Sequence, residues 1–241
     1  MIGILGGMGP LATVDLMRRL VELTPALRDQ DHVPVIVVSD PRVPDRVGPA
    51  LGRSSVSPLP AMQAGIAALE RGGADCIAIA CNTAHYWFDE LQSATRLPML
   101  HIVDAVAHEL RIQAGAGPVG LLATTATLTT RLYHDRLAQH GFDCIEPTEA
   151  EQDSLIHAAI TLVKQNRCPE AGPLLLEAIE RLRVRGAPAI VLACTELPVA
   201  LSSVPAPSEP VIVDATAALA QACLSWWKGR LAAEPPAEAA E

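Results

Sequence analysis

The chain reads as an α/β protein of two pseudo-symmetric lobes, each a mostly parallel sheet flanked by helices, and three observations predict this. Short runs rich in Val, Ile and Leu alternate with helical stretches, the pattern of strands covered on both faces. Segments of the first half return in the second at nearly constant spacing, as an internal repeat does. Half of the 241 residues are apolar, enough to fill one large core or two small ones.

The expected strands are, in order, Met1 to Leu5, Val33 to Val38, Cys76 to Ala80, Met99 to Val103, Val119 to Leu122, Ala189 to Ala193 and Val211 to Val213. A helix opens at Pro10, since proline suits a first turn; another runs from Pro173 to Arg185 with Leu175, Leu176, Ile179 and Leu182 as its apolar positions. Gly3-Ile4-Leu5 returns as Gly120-Leu121-Leu122, and Ile77-Ala78-Ile79-Ala80-Cys81 as Ile190-Val191-Leu192-Ala193-Cys194. His101-Ile102-Val103-Asp104-Ala105 returns as Val211-Ile212-Val213-Asp214-Ala215, so the three spacings are 117, 113 and 110 residues. The expected lobes are residues 1–104 and 105–213, with a helix over 216–230 returning to cover the first. The stretch 234–241 holds only Pro, Ala and Glu and is expected to be a disordered tail. Between Asp40 and Pro60 the abundance of Pro, Gly, Ser and Arg reads as an active-site lid.

Composition narrows the function. A net charge of -9 with no basic cluster argues against a nucleic-acid partner. No run of about 18 uncharged apolar residues suggests a membrane span, and the start MIGILGGMGP lacks the basic segment of an export signal, so a cytoplasmic protein is expected. Six cysteines without a C-x-x-C pair point to reduced thiols rather than a disulfide framework or a zinc site. Lysine occurs only at 164 and 228, which leaves few candidates for Schiff-base chemistry.

Ligands of parallel α/β sheets sit beyond the carboxyl ends of the strands, and Cys81 and Cys194 each directly follow an expected strand. Each leads into polar residues, Asn82-Thr83 and Thr195-Glu196, that open the next helix and offer donors to an anion. A thiol at a helix start is expected to have its thiolate stabilised by the local dipole. If a pseudo-twofold axis relates the lobes, the sulfurs face one point from opposite sides. Taking hydrogen from one face of a carbon and returning a proton to the other suits such a pair, one as thiolate and one as thiol. Asn82, Thr83, Thr124 and Thr195 are then candidate donors to a carboxylate on that carbon. One buried cysteine alone is ordinarily a small core residue; the matched segments set this pair apart.

Five motifs, Gly6-Gly7-Met8-Gly9-Pro10-Leu11-Ala12-Thr13, Arg42-Val43-Pro44-Asp45-Arg46, Ala80-Cys81-Asn82-Thr83-Ala84-His85, Gly120-Leu121-Leu122-Ala123-Thr124 and Ala193-Cys194-Thr195-Glu196-Leu197-Pro198, together resemble the aspartate/glutamate racemase superfamily, most closely the aspartate racemases. The resemblance spans nearly the whole chain. It implies racemisation of an amino acid, foremost aspartate, by a homodimer that uses no pyridoxal phosphate, other cofactor or metal. It assigns Cys81 and Cys194 as the acid/base pair and Met8, Asn82, Thr83, Thr124, Thr195 and Glu196 to the substrate site. Arg46 falls where the family holds the side-chain carboxylate, and Lys164 where a second cation stands. Ala80 and Val47 depart from the proline and threonine frequent at these positions, beside the thiol and in the lid, where they bear on substrate preference.

Other readings stay open at this level. Glutamate, a broad range of amino acids, or isomerisation of a dicarboxylic acid would use the same scaffold. Gly7-Met8-Gly9-Pro10-Leu11-Ala12, with Asp40 ending the next strand, also satisfies a loose dinucleotide pattern and so suggests an NAD-dependent oxidoreductase. A thiol hydrolase would pair Cys81 with His85 as base. Glu196 could tune the neighbouring thiol or cap its helix.

Overall fold

The computed structural model describes residues 1–115, 117–205 and 207–233, so the tail expected over 234–241 lies outside the described residues. Eight strands form two parallel sheets of four. The first contains β1 (Ile2–Gly6), β2 (Val35–Ser39), β3 (Cys76–Ile79) and β4 (Met99–Leu100) in the order β2-β1-β3-β4. The second contains β5 (Val119–Ala123), β6 (Cys144–Ile145), β7 (Ala189–Ala193) and β8 (Val211–Asp214) in the order β6-β5-β7-β8. Strand order and direction are thus the same in both, as the sequence repeat requires.

The repeated glycines show how closely the two sheets correspond. Gly3 lies beside Ile77, and Gly120 beside Ile190. A Cβ on Gly3 would stand 2.8 Å from the Ala74 Cβ and 3.3 Å from that of Leu69; one on Gly120 would meet Ile190 Cδ1 at 2.4 Å and Leu182 Cδ1 at 2.9 Å. In both lobes the missing side chain lets the neighbouring helix press onto the central strand. These are Leu59–Arg71, which carries Leu69, and Cys168–Val184, which carries Leu182.

Three elements differ from expectation for local reasons. The strand expected to reach Val103 stops at Leu100, because His101 Nδ1 accepts the Val103 N–H at 3.1 Å and caps the helix Ile102–Gln113. Its repeat stays extended through Asp214, where Oδ1 accepts from Thr216 N at 2.8 Å and Ala217 N at 3.2 Å to cap the helix Ala215–Ala233. The helix expected from Pro173 begins at Cys168: Pro169 takes the first-turn place and Pro173 lies inside. The two-residue β6 is too short to show a period.

These two capped helices cross between the lobes. Ile102–Gln113 follows the first sheet but packs on β8 and on the helix Leu132–Ala138 of the second. Ala215–Ala233 follows the second sheet and packs on β4 and on the helix Pro10–Leu23 of the first. Ion pairs repeat the exchange: Arg136 donates to Asp104 at 2.5 and 2.6 Å, while Arg19 bridges Asp214 and Asp15. A continuous apolar core then runs through both sheets, from Ile2 and Ile4 to Val119, Leu121 and Val191. No helix among the described residues is long and apolar enough to cross a membrane.

Removing Arg19 leaves Asp214, whose side chain is only 15% exposed, without its cation. Arg19→Ala should therefore cost about 2 kcal/mol in urea denaturation. Arg18→Ala, on a side chain half exposed, should cost less than about 1 kcal/mol.

Candidate active site

Each sheet presents its cysteine just beyond an inner strand, Cys81 after β3 and Cys194 after β7. Both thiols, Met8, Arg46, Asn82, Thr83, Thr124, Lys164, Thr195 and Glu196 line one narrow cavity of about 30 Å³ between the lobes. This brings together all ten predicted site residues. The free space accommodates only water-sized molecules.

Burial pushes both thiols up, against the expectation of helix-start activation. The following helical segments, Thr83–Trp87 and Glu196–Leu201, are short, and their dipoles do not offset desolvation at nearly closed positions. Charges then distinguish the pair. The Arg46 guanidinium beside Cys81 counters its rise and the Glu196 carboxylate adds to it, whereas at Cys194 the Glu196 carboxylate is the leading charge and Lys164 counters it weakly. Cys194 Sγ donates to Glu196 Oε2 at 3.1 Å, and Thr195 Oγ1 donates to the same oxygen at 3.2 Å. Glu196 thus holds a protonated thiol in place, and its side chain caps no helix.

Two residues on the cavity, Asn82 and Arg46, each hold a buried nitrogen with no partner among the described residues. Asn82 Oδ1 accepts from the Tyr133 hydroxyl, which leaves its buried Nδ2 with no hydrogen-bond partner among the described residues. Thr83, Thr124 and Thr127 form a triangle of hydroxyl contacts at 3.0 to 3.2 Å that joins the lobes. Arg46 is more constrained than the resemblance implied: Nη1 donates to the Val43 and Pro44 carbonyls at 3.2 and 2.9 Å, and Nη2 to the Met8 carbonyl at 3.2 Å. Its buried Nε has no partner among the described residues. The lid itself is partly packed, with Val43 and Ala50 buried and a short helix, Val47–Ala50, against Thr125–Thr129 of the other lobe. Lys164 ends the helix Ala158–Lys164 and makes no ion pair among the described residues.

Sequence reasoning missed Tyr133, Thr127 and Ile160. Tyr133, one of two tyrosines, was detectable only as a polar aromatic in the first helices after β5; its hydroxyl reaches Asn82 because the lobes are crossed. Thr127 belongs to the threonine-rich turn that signalled Thr124. Ile160 carries no chemical signature.

The rival readings meet specific obstacles. The backbone N–H of Ile102 donates to His85 Nε2 at 3.2 Å, so Nε2 holds the lone pair and Nδ1–H donates to the Cys81 carbonyl at 2.9 Å. Both ring nitrogens are occupied by backbone, and none serves the Cys81 thiol as base. For the dinucleotide reading, Gly7, at φ 89°, packs so tightly that a Cβ would lie 2.4 Å from the Asp40 backbone. A Cβ on Gly9 would stand 3.5 Å from Glu196 Oε1. A carboxylate beside this helix start repels the pyrophosphate such a turn would hold.

Burial lowers the His85 pKa to about 4 from an ordinary 6.5. Between these values an unfolded chain takes up a proton that the folded one refuses, so stability present above 6.5 is lost as pH falls toward 4. The His85 contribution is roughly 3 kcal/mol. Urea melts across this window should show His85→Gln losing that much less than the parent, and equal slopes would refute the assignment.

Comparison with known proteins identifies the family that shares this two-sheet fold. The Asp/Glu/hydantoin racemase family profile matches residues 5–223. An aspartate racemase from Picrophilus torridus superimposes with a TM-score of 0.81 at 34% identity, covering 94% of each chain. A broad-specificity amino-acid racemase of Bacillus subtilis is 30% identical over 229 residues, 93% of this chain and 97% of that protein. A glutamate racemase of Deinococcus radiodurans is 30% identical over 224 residues, 90% of this chain and 69% of its own length. With the family profile matched over residues 5–223 and near full-length similarity to racemases in agreement, the chain belongs to the Asp/Glu/hydantoin racemase family.

Proposed function

We propose that the protein racemises an amino acid, aspartate foremost, by passing protons between Cys81, Cys194 and one α-carbon without a cofactor. Residues 1–104 and 105–213 act as the two lobes that part to admit it. The observation that carries this reading is the meeting of two strand-end thiols on one cavity with unlike leading charges, the Arg46 cation at Cys81 and the Glu196 carboxylate at Cys194, the carboxylate raising both.

The chemistry follows from these partners. Cys81 as thiolate takes the α-hydrogen as a proton, and the electron pair it leaves spreads into the α-carboxylate. Unpaired Asn82 Nδ2 supplies a donor as that charge develops, and the hydroxyls of Thr83 and Thr124 do so by turning out of their contacts with each other and Thr127. Cys194, held as a thiol by Glu196, returns a proton to the opposite face and becomes the thiolate. The opposite enantiomer runs the same steps in reverse. A second carboxylate finds the free Nε of Arg46 and the Lys164 charge, which supports a dicarboxylic substrate. The similarity to an aspartate racemase supports the same choice.

In D2O the enzyme should incorporate deuterium at the α-carbon of L- or D-aspartate while interconverting them. Cys81→Ser and Cys194→Ser should each lose at least about 100-fold in racemisation; near-normal turnover by either variant would remove the two-thiol mechanism. Arg46→Ala should raise KM for aspartate far more than for alanine, and equal effects would exclude it from side-chain recognition.

Glu196→Gln removes the negative charge that raises Cys194. Cys194 must be protonated to act as acid, so the alkaline limb of kcat/KM in that direction should move to lower pH. An unmoved limb would contradict electrostatic control by Glu196.

A further inference from the structure

Tyr133 belongs to the helix Leu132–Ala138 of the second lobe and is fully buried in the apolar core that both sheets share. A ring at such a place packs as well without an oxygen, and a hydroxyl carried into the core needs a partner. The partner is in the other lobe: the phenol donates to Oδ1 of Asn82, the residue that follows Cys81 and lines the thiol cavity. Among the described residues the phenol makes no other hydrogen bond, and Asn82 Nδ2 makes none.

That isolation settles which way the amide faces. A phenol has one hydrogen to give, and its acceptor here is Oδ1. Turning the amide over would place Nδ2 on the phenol oxygen, leaving the phenol hydrogen without an acceptor and Oδ1 without a donor. The observed arrangement leaves one buried atom unpaired and the reversed one would leave two, each at a cost.

The phenol is itself well held. Arg136, three residues on and so on the same face of the helix, donates to Asp104 of the first lobe at 2.5 and 2.6 Å, and the helix packs on Ile102–Gln113. Burial, reinforced by the negative charges of Asp214, Cys194 and Cys144, pushes the phenol up, so its proton stays in place when Cys194 becomes the thiolate.

We propose that Tyr133 is a positioning residue of the racemase site: held by the second lobe, its hydroxyl turns the Asn82 amide of the first so that Nδ2, and not Oδ1, is the atom offered to the α-carboxylate. The proposal rests on the racemase reading and deepens it. The donor beside Cys81 then depends on the lobe that carries Cys194, and without the phenol the amide is free to turn an oxygen toward the carboxylate, which repels it.

A double-mutant cycle on the intact protein separates positioning from packing. Exchange of the aspartate α-hydrogen in D2O would give kcat/KM for the parent, Tyr133→Phe, Asn82→Ala and the double variant. Tyr133→Phe keeps the ring and loses only the hydroxyl. It should cost the parent about tenfold, the effect of one misdirected hydrogen bond. In the Asn82→Ala background the same change should cost no more than about twofold, because no amide remains to be oriented. A packing role lowers the amount of folded protein alike in both backgrounds, so equal losses would overturn the proposal. So would a loss below about twofold in the parent, or near-parent exchange by Asn82→Ala. The same cycle on the Kd of aspartate, by calorimetry, reads the coupling where exchange is too slow to follow. Absence of exchange by the parent with every amino acid tried would instead overturn the racemase reading.

Discussion

Arg136 reaches across to Asp104 while Arg19 reaches across to Asp214, and each of these ion pairs ends on an element connected to the segment of one thiol. Asp104 sits in the first turn of Ile102–Gln113, the helix whose Ile102 N–H fixes His85, which in turn holds the Cys81 carbonyl. Asp214 pairs in register with Leu192, two residues before Cys194. A shift of one lobe against the other would strain both connections together. The crossed helices therefore do more than bury apolar surface: they set the positions from which the cysteines meet a common cavity. A site that acts from two faces of one atom depends on such a constraint, because catalysis is sensitive to errors of about 1 Å.

Repetition of the fold does not extend to electrostatics. Matching strand ends deliver chemically identical thiols, yet Arg46 comes from a loop of the first lobe and Glu196 from the residue pair after the second thiol. Symmetric partners would give both sulfurs the same proton affinity and no preferred resting state. Their difference favours the proton on Cys194, the sulfur that already donates to a carboxylate. Burial works against any thiolate here, which makes the Arg46 charge beside Cys81 more consequential than a dipole from a five-residue helical segment.

Much of this was legible in the sequence because it rests on short, local patterns. Ile77 to Cys81 and Ile190 to Cys194 show both the inner strands and the residues they deliver. Gly3 and Gly120 mark the same close helix approach in each sheet. What stayed hidden depends on contacts between lobes. The IVDA segment is helical at 102–105 but still extended at 212–214, a difference decided by which residue caps the following helix. Tyr133 owes its place on Asn82 to the helix exchange, and Arg46 spends most of its donors on carbonyls that sequence gives no reason to bring near. The thiol pKa values were misread for a related reason: a cysteine at a helix start looks activated until the opposite lobe closes over it.

Three of the buried polar atoms without a partner among the described residues belong to residues that line two adjoining cavities. Asn82 and Arg46 line the thiol cavity and Gln152 the wider neighbouring one, and each holds one such atom: Asn82 Nδ2, Arg46 Nε and Gln152 Oε1. Buried groups of this kind reduce stability unless something occupies them, and here each is held in orientation by its other atoms: Asn82 by Tyr133, Arg46 by three carbonyls, Gln152 by Ala123. They are pre-oriented rather than free to turn toward one another. On the racemase reading, an amino acid that enters the thiol cavity would bring acceptors for Asn82 Nδ2 and Arg46 Nε. Its recognition would then rest on satisfying groups that the fold has already positioned, so little further ordering of these side chains would oppose binding.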